Sequence, residues 1–320
     1  MTTLSQRLDD YLAIRRSLGF DLSFEERMLR VFTRFADREG ADYLTVDLFL
    51  RWKTMFGTAN NNTWARRLGM VRAFAAWLKG YDERTEVPPQ GLIAGKWHRS
   101  RPYIYSDNEV ATIVAQAAKL PSRYGLRGWT CSTLFGLIAV TGLRINEALK
   151  LDDDDVDLDA GVVTVKSGKN GKARYVPIAP CTVERLAVYR NERTRLLGNT
   201  AGAFFRSDDG RRLTDCCARY NFAVVSQNME LREVQRFCRH GRGPRIHDLR
   251  HTFAVRTIMR WYRKGLDPDR EMIKLTTYLG HSKPDHTYWY IEAVPELLQL
   301  ASQRAECSLA EGAAKKGGVR

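Results

Sequence analysis

Residues 161–180, GVVTVKSGKNGKARYVPIAP, carry the pattern of a β-hairpin. Two runs rich in β-branched and aromatic residues flank the turn sequence Lys169–Lys172, whose central Asn-Gly pair tolerates the positive φ of a tight turn. The sequence on either side shows helical spacing instead, including the apolar stretch 132–151, which we predict to be one helical segment. We therefore expect a mainly α fold that contains a small antiparallel β-sheet.

Residues 1–83 are predicted to form a separate bundle of helices. Apolar residues recur at intervals of three and four, and Ser23 with Glu26 has the spacing of a capping box. Two arginines, Arg66 and Arg72, lie off the apolar stripe of the last helix in this region. They face either solvent or a ligand, and a surface that binds nucleic acid is one of the two interpretations.

Residues 84–105 are predicted to link two domains, because the helical periodicity fails there. This stretch contains Pro88-Pro89-Gln90-Gly91 and scattered basic side chains, which suit an interdomain linker. Helical order resumes at Ser106, which can cap a helix. A larger α+β domain should then occupy residues 106–305, followed by a basic tail at 306–320. The linker bases that could meet a polyanion are Lys96, Arg99 and Arg101.

The net charge of the chain points to the class of partner. Its 320 residues include 51 Lys and Arg against 37 Asp and Glu, a balance of +14. Such an excess favours a polyanion, with nucleic acid ahead of a membrane surface. A hydrophobic content of 44% excludes wholesale disorder, and no apolar run is long enough to span a bilayer. The six cysteines lack CxxC spacing and the N-terminus lacks a secretory pattern, so we expect reduced thiols and a cytoplasmic protein.

The segment TGLRINE, residues 141–147, places a charged side chain where packing alone would not require one. Arg144 follows a glycine bend inside apolar sequence, and a guanidinium is costly to bury unless it is paired or binds an anion. Glu147 is a possible partner at helical spacing, so a buried ion pair and an anion site both remain open. Lys169 and Lys172 at the predicted hairpin are likewise either solvated or part of a site.

Two later segments add bases and phenols. In PRIHDLRHTF, residues 244–253, a helix would place His247, Arg250 and His251 on one face, directly after Arg245. Leu279-Gly280-His281 follows, and Tyr288 and Tyr290 come shortly after it.

This inventory suits chemistry at a phosphodiester. Guanidinium groups bind phosphate oxygens in a bidentate manner and stay charged at every relevant pH. A phenol surrounded by cations is favoured as phenolate and can act as a nucleophile, while a lysine or histidine can protonate a departing oxygen. The inventory requires no divalent metal.

Five motifs in this order resemble the signature of the tyrosine recombinase (phage integrase) family. They are TGLRINEAL, the hairpin lysine ahead of RYVPI, HDLRHTFA, LGH and the tyrosine that follows it. The resemblance covers residues 106–301 and, judged from TYWYIEAVPELL, is greatest for integrases borne by transposons and other mobile elements. It implies an α+β catalytic domain behind an N-terminal core-binding domain, with which residues 1–83 agree in size and helicity alone. The segment after the tyrosine departs from the family's commoner Thr-His-Val and reads Ile-Glu-Ala-Val here.

The resemblance implies that DNA is cut and rejoined through a tyrosine. The tyrosine attacks a phosphodiester to form a 3′-phosphotyrosyl link and a free 5′-hydroxyl, and another 5′-hydroxyl then reverses the step. Neither ATP nor a metal ion is implied, so we expect no cofactor. The expected partners are double-stranded DNA, further copies of the chain in a tetrameric synapse, and other recombinases of the same element. The apolar residues of the helix after the tyrosine could pack on a neighbouring protomer or on their own domain; they are Leu297, Leu298, Leu300 and Ala301.

The same resemblance gives roles to individual residues. Arg144 and Arg250 clamp the scissile phosphate, and Lys169 is the general acid toward the leaving 5′-hydroxyl, with Lys172 as the alternative. Tyr290 has the family's spacing of nine residues after His281 and is the expected nucleophile, with Tyr288 as its competitor. The other matches are His247 and His281 at the family's histidine positions, Glu147 as the residue that orients the first arginine, and His251 as a structural neighbour. The basic residues expected to contact DNA are Arg66, Arg72, Lys96, Arg99, Arg101, Lys172 and Arg245.

Other interpretations remain at this point. A metal-dependent nuclease would draw zinc ligands from Cys238, His240, His247 and His251, although the cationic sequence between them should repel zinc. The acidic run Asp152–Asp155 could hold magnesium, but a polar loop before a strand explains it more simply. A non-catalytic DNA-binding or architectural protein would keep the fold without cleavage, and a type IB topoisomerase would share the chemistry yet relax supercoils.

Overall fold

The computed structural model describes residues 3–55, 59–95, 101–166, 173–198, 201–235, 238–304 and 306, with the backbone alone at 235, 238–242 and 293. The chain separates into two compact units, Met1–Ser100 and Arg101–Arg320, which we describe one at a time. In the described part of the chain, no helix is both long and apolar enough to cross a membrane.

The first unit is a bundle of helices. They are α1 (Leu4–Ser17), α2 (Ser23–Arg38), α3 (Val46–Met55) and α4 (Asn61–Leu78). Aromatic rings fill its core: Phe32 and Trp64 each meet the Trp52 ring edge-on, with centroids 5.1 Å apart. Large rings buried in this way account for much of the stability of so small a bundle.

The predicted capping box of α2 is wrong. The helix has Leu22 as its N-cap, without a side-chain hydrogen bond, and Ser23 already lies in the first turn. The Ser23 hydroxyl bonds instead to the carboxylate of Asp21, and Glu26 is engaged by Arg16 and Arg30. Other charged side chains, Asp21 and Arg16 before the helix and Arg30 within it, therefore hold both side chains that the pattern had paired with each other.

Part of the segment predicted as a linker packs onto the first unit. The backbone N–H of Glu86 donates to the Leu44 carbonyl at 2.8 Å, and Ile93 is buried in the helical core. The guanidinium of Arg72 donates to the carbonyl of Pro88. The predicted boundary at residue 83 therefore lies inside this unit.

The second unit is mainly helical with a small antiparallel sheet, which confirms the predicted fold class. Its helices are α5 (Asp107–Ala118), α6 (Arg127–Thr141), α7 (Ile145–Leu149), α8 (Pro180–Leu197), α9 (Asp215–Asn228), α10 (Ile246–Arg263), α11 (Pro268–Leu279) and α12 (Asp285–Ala293), followed by helical residues 295–304. Ser106 caps α5 in a capping box with Glu109, as predicted.

The predicted hairpin strands are present on both sides of the turn sequence. Strands β1 (Val156–Asp157), β2 (Val162–Val165) and β3 (Arg174–Pro177) form one antiparallel sheet in that order. Val163 lies opposite Val176, and both side chains are buried. A second antiparallel pair, β4 (Glu233–Gln235) and β5 (Cys238–Arg242), was not predicted, since its sequence is too polar and too rich in arginine to show the alternation of a half-buried strand.

The apolar stretch 132–151 is not one helix, contrary to the prediction. Helix α6 ends at Thr141, Gly142 takes the left-handed conformation with φ 65°, and α7 starts three residues later at Ile145. A Cβ atom at position 142 would lie 2.6 Å from the ring of Phe253, so the close approach of α10 also favours glycine there. This break turns the backbone so that Arg144 becomes the N-cap of α7.

Helices α10, α11 and α12 share an apolar core that includes the segment after α12. Val255 and Ile258 of α10 pack with Met272 and Leu279 of α11, and the fully buried Leu297 belongs to the same cluster. In this structure residues 295–304 therefore pack against their own unit.

Candidate active site

Arg250 is buried where three helices meet. It lies in the second turn of α10, with 1% of its surface exposed. One guanidinium nitrogen donates to the carbonyl of Gly142 at 2.6 Å, and another donates to the carbonyl of Leu279 at 2.8 Å. The carbonyl ends of α6 and α11, which carry the negative ends of their helix dipoles, thus fix this cation in place.

Arg144 lies beside Arg250 and is held in a similar way. Its Nη2 donates to the carbonyl of Gly280 at 2.9 Å, while its Nη1 pairs with Glu147 at 2.7 Å. Burial, followed by the charge of Arg144, lowers the pKa of Arg250 to about 10. Two guanidinium groups this close repel each other, which makes the spot favourable for an anion.

Glu147 is the acidic partner in this cluster and binds a second arginine. Arg174, at the start of β3, forms a bidentate pair with Glu147 at 3.1 and 2.7 Å, and its Nε donates to the Tyr278 carbonyl. Burial would raise the pKa of Glu147, but hydrogen bonds from Arg174 and from Arg144 lower it to about 2. The carboxylate is therefore ionised at neutral pH and joins the strand after the hairpin turn to Arg144.

Arg174 was not among the residues expected at the site. It stands 27 residues from Glu147 along the chain, so no helical or strand spacing links the two. The available signal was its position directly ahead of YVPI, in a motif whose lysine alone had been considered.

Two histidines of α10 occupy successive turns. His247 is exposed in the first turn, while His251 is buried, and their ring centroids are 4.6 Å apart. Partial burial of the ring is the largest cause of a lowered pKa at His247, and the charges of Arg250, Arg245 and Arg144 come next. Together they lower the pKa of His247 to about 4. Its imidazole is therefore neutral at physiological pH.

Tyr290 of α12 points into the same region. Its side chain is 1% exposed, and its hydroxyl lies 3.0 Å from Nδ1 of His251. The ring of His281 is roughly parallel to that of Tyr290 with centroids 6.4 Å apart, and His281 Nδ1 lies 2.7 Å from the hydroxyl of Thr287. Residues from α7, α10 and α12 and from the loop after α11 are thus brought together.

Tyr288 points elsewhere. It is 37% exposed, and its hydroxyl donates to the carboxylate of Asp269 at 3.2 Å. Burial and this contact raise the pKa of Tyr288, which disfavours the phenolate that a nucleophile needs. The geometry therefore favours Tyr290 over its competitor.

The residues expected to contact DNA fall into two groups. Lys96, Arg99 and Lys172 lie outside the described residues, as does Lys169, the expected general acid. Among the others, Arg101 and Arg245 are exposed, and Arg66 is exposed with its guanidinium 4.2 Å above the ring centroid of Phe24. Arg72 is half-buried and bonded to Pro88, so its guanidinium serves packing within the first unit.

The two metal interpretations find little support in the described side chains. Among them, no three His, Cys, Asp or Glu side chains are grouped to hold an ion. Three carboxylates of the acidic run pair with cations instead, Asp152 with Arg212, Asp153 with Arg193 and Asp155 with Lys166. The side chains of Cys238 and His240 lie outside the described residues.

Known proteins resemble this chain along nearly its whole length. An integrase/recombinase of Sinorhizobium fredii, named y4rB, is 38% identical over 96% of this chain and 98% of its own length. The fold is similar to that of the Tn1549 transposon integrase in complex with transposon right-end DNA, with a TM-score of 0.62, 15% identity, and coverage of 96% and 98% of the two chains. It is also similar to the lambda integrase tetramer bound to a Holliday junction, with a TM-score of 0.58, 16% identity, and coverage of 89% and 79%.

The family assignment follows from the second unit. Residues 106–296 match the model of the phage integrase family, and this range contains every side chain of the cluster around Arg250. The match covers more than half of the 320 residues. The chain therefore belongs to the phage integrase family of tyrosine recombinases.

Proposed function

We propose that this protein is a site-specific DNA recombinase that cuts and rejoins DNA through a covalent link to Tyr290. The observation that carries the proposal is a buried Tyr290 whose hydroxyl contacts His251 on the helix that also carries Arg250, which helix-end carbonyls hold in place next to Arg144. Tyr290 lies close enough to Arg250 to oppose the fall in the pKa of that guanidinium. A nucleophile and an anion-binding pair in one cluster are what attack on a phosphodiester requires.

The proposed reaction is a pair of transesterifications. The Tyr290 oxygen bonds to phosphorus while the bond from phosphorus to the 5′ oxygen breaks, leaving a 3′-phosphotyrosyl ester and a 5′-alkoxide that needs a proton. Arg144 and Arg250 stabilise the charge that develops on the phosphate oxygens. Lys169, or Lys172 in its place, supplies the proton to the leaving oxygen. A 5′-hydroxyl from another strand then attacks the ester and releases Tyr290.

This scheme consumes neither ATP nor a metal ion. Each step exchanges one phosphoester for another, so the free energy of the broken bond is retained in the covalent intermediate. The cationic side chains described above supply the charge stabilisation that a metal ion would otherwise provide.

The biological setting we propose is integration or excision of a mobile element. The similarity to y4rB and to a transposon integrase supports this role. Double-stranded DNA is the proposed substrate, and assembly as a tetramer on it is supported by the similarity to the lambda integrase tetramer on a Holliday junction.

The decisive experiment replaces the nucleophile. Purified wild-type protein, Tyr290→Phe and Tyr288→Phe are incubated with nicked fragments of the DNA that flanks the native gene, with and without a chelator. We expect covalent capture by the wild type and by Tyr288→Phe, regardless of chelator, and none by Tyr290→Phe, which should still bind the fragment.

The opposite pattern would refute the assignment of the nucleophile. Capture by Tyr290→Phe together with its loss in Tyr288→Phe would move the reaction to the other tyrosine. Activity lost on chelation would favour a metal-dependent nuclease. Relaxation of plasmid supercoils without strand exchange would favour a topoisomerase, and absence of capture by every protein would favour a non-catalytic DNA-binding role.

A further inference from the structure

His251 is placed against the hydroxyl of Tyr290. Its Nδ1 lies 3.0 Å from the Tyr290 oxygen, a normal length for a hydrogen bond between a phenol and an imidazole. The side chain is 6% exposed, and its ring centroid lies 5.4 Å from that of Tyr290 and 5.7 Å from that of Trp289. The contact is therefore shielded from water, which would otherwise exchange with both partners.

The protonation state of His251 decides what this contact can do. A neutral imidazole with its proton on Nε2 presents a lone pair at Nδ1, so the phenol donates to it. A neutral, buried imidazole bonded to a phenol is a suitable proton acceptor.

The two histidines of α10 lie in different surroundings, which suggests different roles in the reaction. His247 is exposed in the first turn of α10, two residues after Arg245. His251, one turn deeper, touches the atom that would attack. We infer that His251 accepts the phenolic proton of Tyr290 as its oxygen bonds to the phosphate, and returns that proton when the tyrosine is released.

This inference rests on the proposed function and completes its proton balance. The proton leaves the Tyr290 oxygen for His251 Nδ1 while the general acid gives a different proton to the departing 5′ oxygen. In the reverse step the imidazolium protonates the Tyr290 oxygen as the bond from it to phosphorus breaks. No oxidant, metal or further reactant is needed.

The test separates proton acceptance from orientation. Asn at position 251 can still bond to the Tyr290 hydroxyl through its side-chain amide, but that amide is not a base. Single-turnover rates of covalent capture on nicked DNA are measured from pH 6 to pH 10 for wild type, His251→Asn and His251→Ala. His286→Asn, which alters an exposed histidine of α12, is the matched control.

We expect both His251 variants to capture DNA about 100-fold more slowly than wild type at pH 7, with unchanged DNA affinity. The deficit of His251→Asn should shrink as the pH approaches the pKa of about 10 of a free phenol, because hydroxide then removes the proton that His251 would have taken. Among the described side chains, the titratable groups in contact with His251 include His247 on α10 and Tyr290 on α12, and His281 lies against Tyr290. Histidines are neutral throughout the alkaline half of this range, so the recovery reports on Tyr290.

Two results would overturn the inference. Capture by His251→Asn at the wild-type rate would show that no base is needed there, and a deficit of constant size at every pH would show a purely structural role. The failure of the proposed function is recognised separately, because it appears as capture by Tyr290→Phe or as no capture by the wild type.

Discussion

Glu147 joins two arginines of the candidate site. Its carboxylate bonds to Arg144 and to Arg174, so the N-cap of α7 and a residue of β3 hold the same carboxylate. Glu147 and Arg174 are each 16% exposed at their side chains, whereas Arg144 is 37% exposed. The pair on the buried side is therefore the stronger anchor, and it leaves Arg144 partly open to a ligand.

We predict that Glu147→Gln lowers both stability and catalysis. The folded-state pKa of Glu147 is depressed from 4.5 to about 2, so its ionised form stabilises the fold above about pH 4.5 and ceases to do so as the pH falls toward 2. Urea unfolding at pH 7 should show a loss on the order of 2–3 kcal/mol, since the variant leaves two guanidinium groups without their counter-charge.

The pH dependence supplies the control for this prediction. The difference in unfolding free energy between wild type and Glu147→Gln should narrow between pH 4.5 and the lowest pH at which the protein stays folded. A constant difference over that range would contradict an electrostatic role. The capture rate should fall together with stability, because Arg144 loses the bond that orients it.

The sequence allowed most of these side chains to be named but did not show their contacts. Arg144, His247, Arg250, His281 and Tyr290 stand in motifs, and the structure brings them into one cluster. His251 was expected to be structural, because the order HDLRH says nothing about a tyrosine 39 residues later. Contacts of this kind depend on how α10 and α12 pack, and local spacing does not encode that packing.

At the scale of elements, the ends of two helices form the cradle for the arginines. Helices α6 and α11 both stop at a glycine in the left-handed conformation, Gly142 and Gly280. Each of these glycines offers its carbonyl to an arginine, Gly142 to Arg250 and Gly280 to Arg144. The residues that end these two helices therefore also supply carbonyl oxygens that accept hydrogen bonds from the two arginines.

We predict that Gly142→Ala damages the site, whereas Gly265→Ala is a mild change. Both glycines have φ 65°, so alanine costs about 1–2 kcal/mol of backbone strain at either position. At Gly142 the new methyl group would also meet the Phe253 ring at 2.6 Å, whereas nothing lies within 4 Å of it at Gly265.

Thermal unfolding and capture assays on the two variants measure the difference. Gly142→Ala should unfold at a lower temperature than Gly265→Ala and should capture DNA more slowly relative to its binding. Equal behaviour of the two variants would mean that the Phe253 contact relaxes freely, and that the cradle tolerates the movement of α10.

Elements with strong local signals were predictable, and those defined by contacts were not. The hairpin strands follow from β-branched residues, and the cap of α5 follows from Ser106 and Glu109. The end of α6 was missed because apolar residues continue past Gly142, which terminates the helix in the left-handed conformation. The strands β4 and β5 were missed because their polar and basic residues do not alternate with apolar ones, as the residues of a half-buried strand do.

At the scale of the whole molecule, the charge of +14 divides among different tasks. Arg193 and Arg206 are buried and bonded to backbone carbonyls, so they hold loops of the second unit together. Exposed arginines such as Arg66 remain available to a polyanion. Net charge therefore overstates the number of cations that can contact DNA.

We predict that Arg66→Gln and Arg72→Gln behave differently. Each cation that contacts a phosphate contributes close to one unit to the slope of log affinity against log salt concentration. Arg66→Gln should reduce that slope by about one, measured by fluorescence anisotropy with a DNA fragment at several salt concentrations. Arg72→Gln should leave the slope unchanged and lower the thermal stability, because it removes the bond to Pro88. If Arg72→Gln reduced the slope and Arg66→Gln did not, the assignment of Arg66 to DNA contact and of Arg72 to packing would be wrong.

The crowding of Arg144 against Arg250 also links stability to occupancy. The two cations repel each other at the junction of α6, α10 and α11, and this repulsion comes second to burial among the causes that lower the pKa of Arg250. A phosphate bound by both would offset this repulsion and favour the folded unit over the unfolded chain in proportion to the affinity of the site. By this reasoning the proposed DNA substrate also stabilises the protein that binds it.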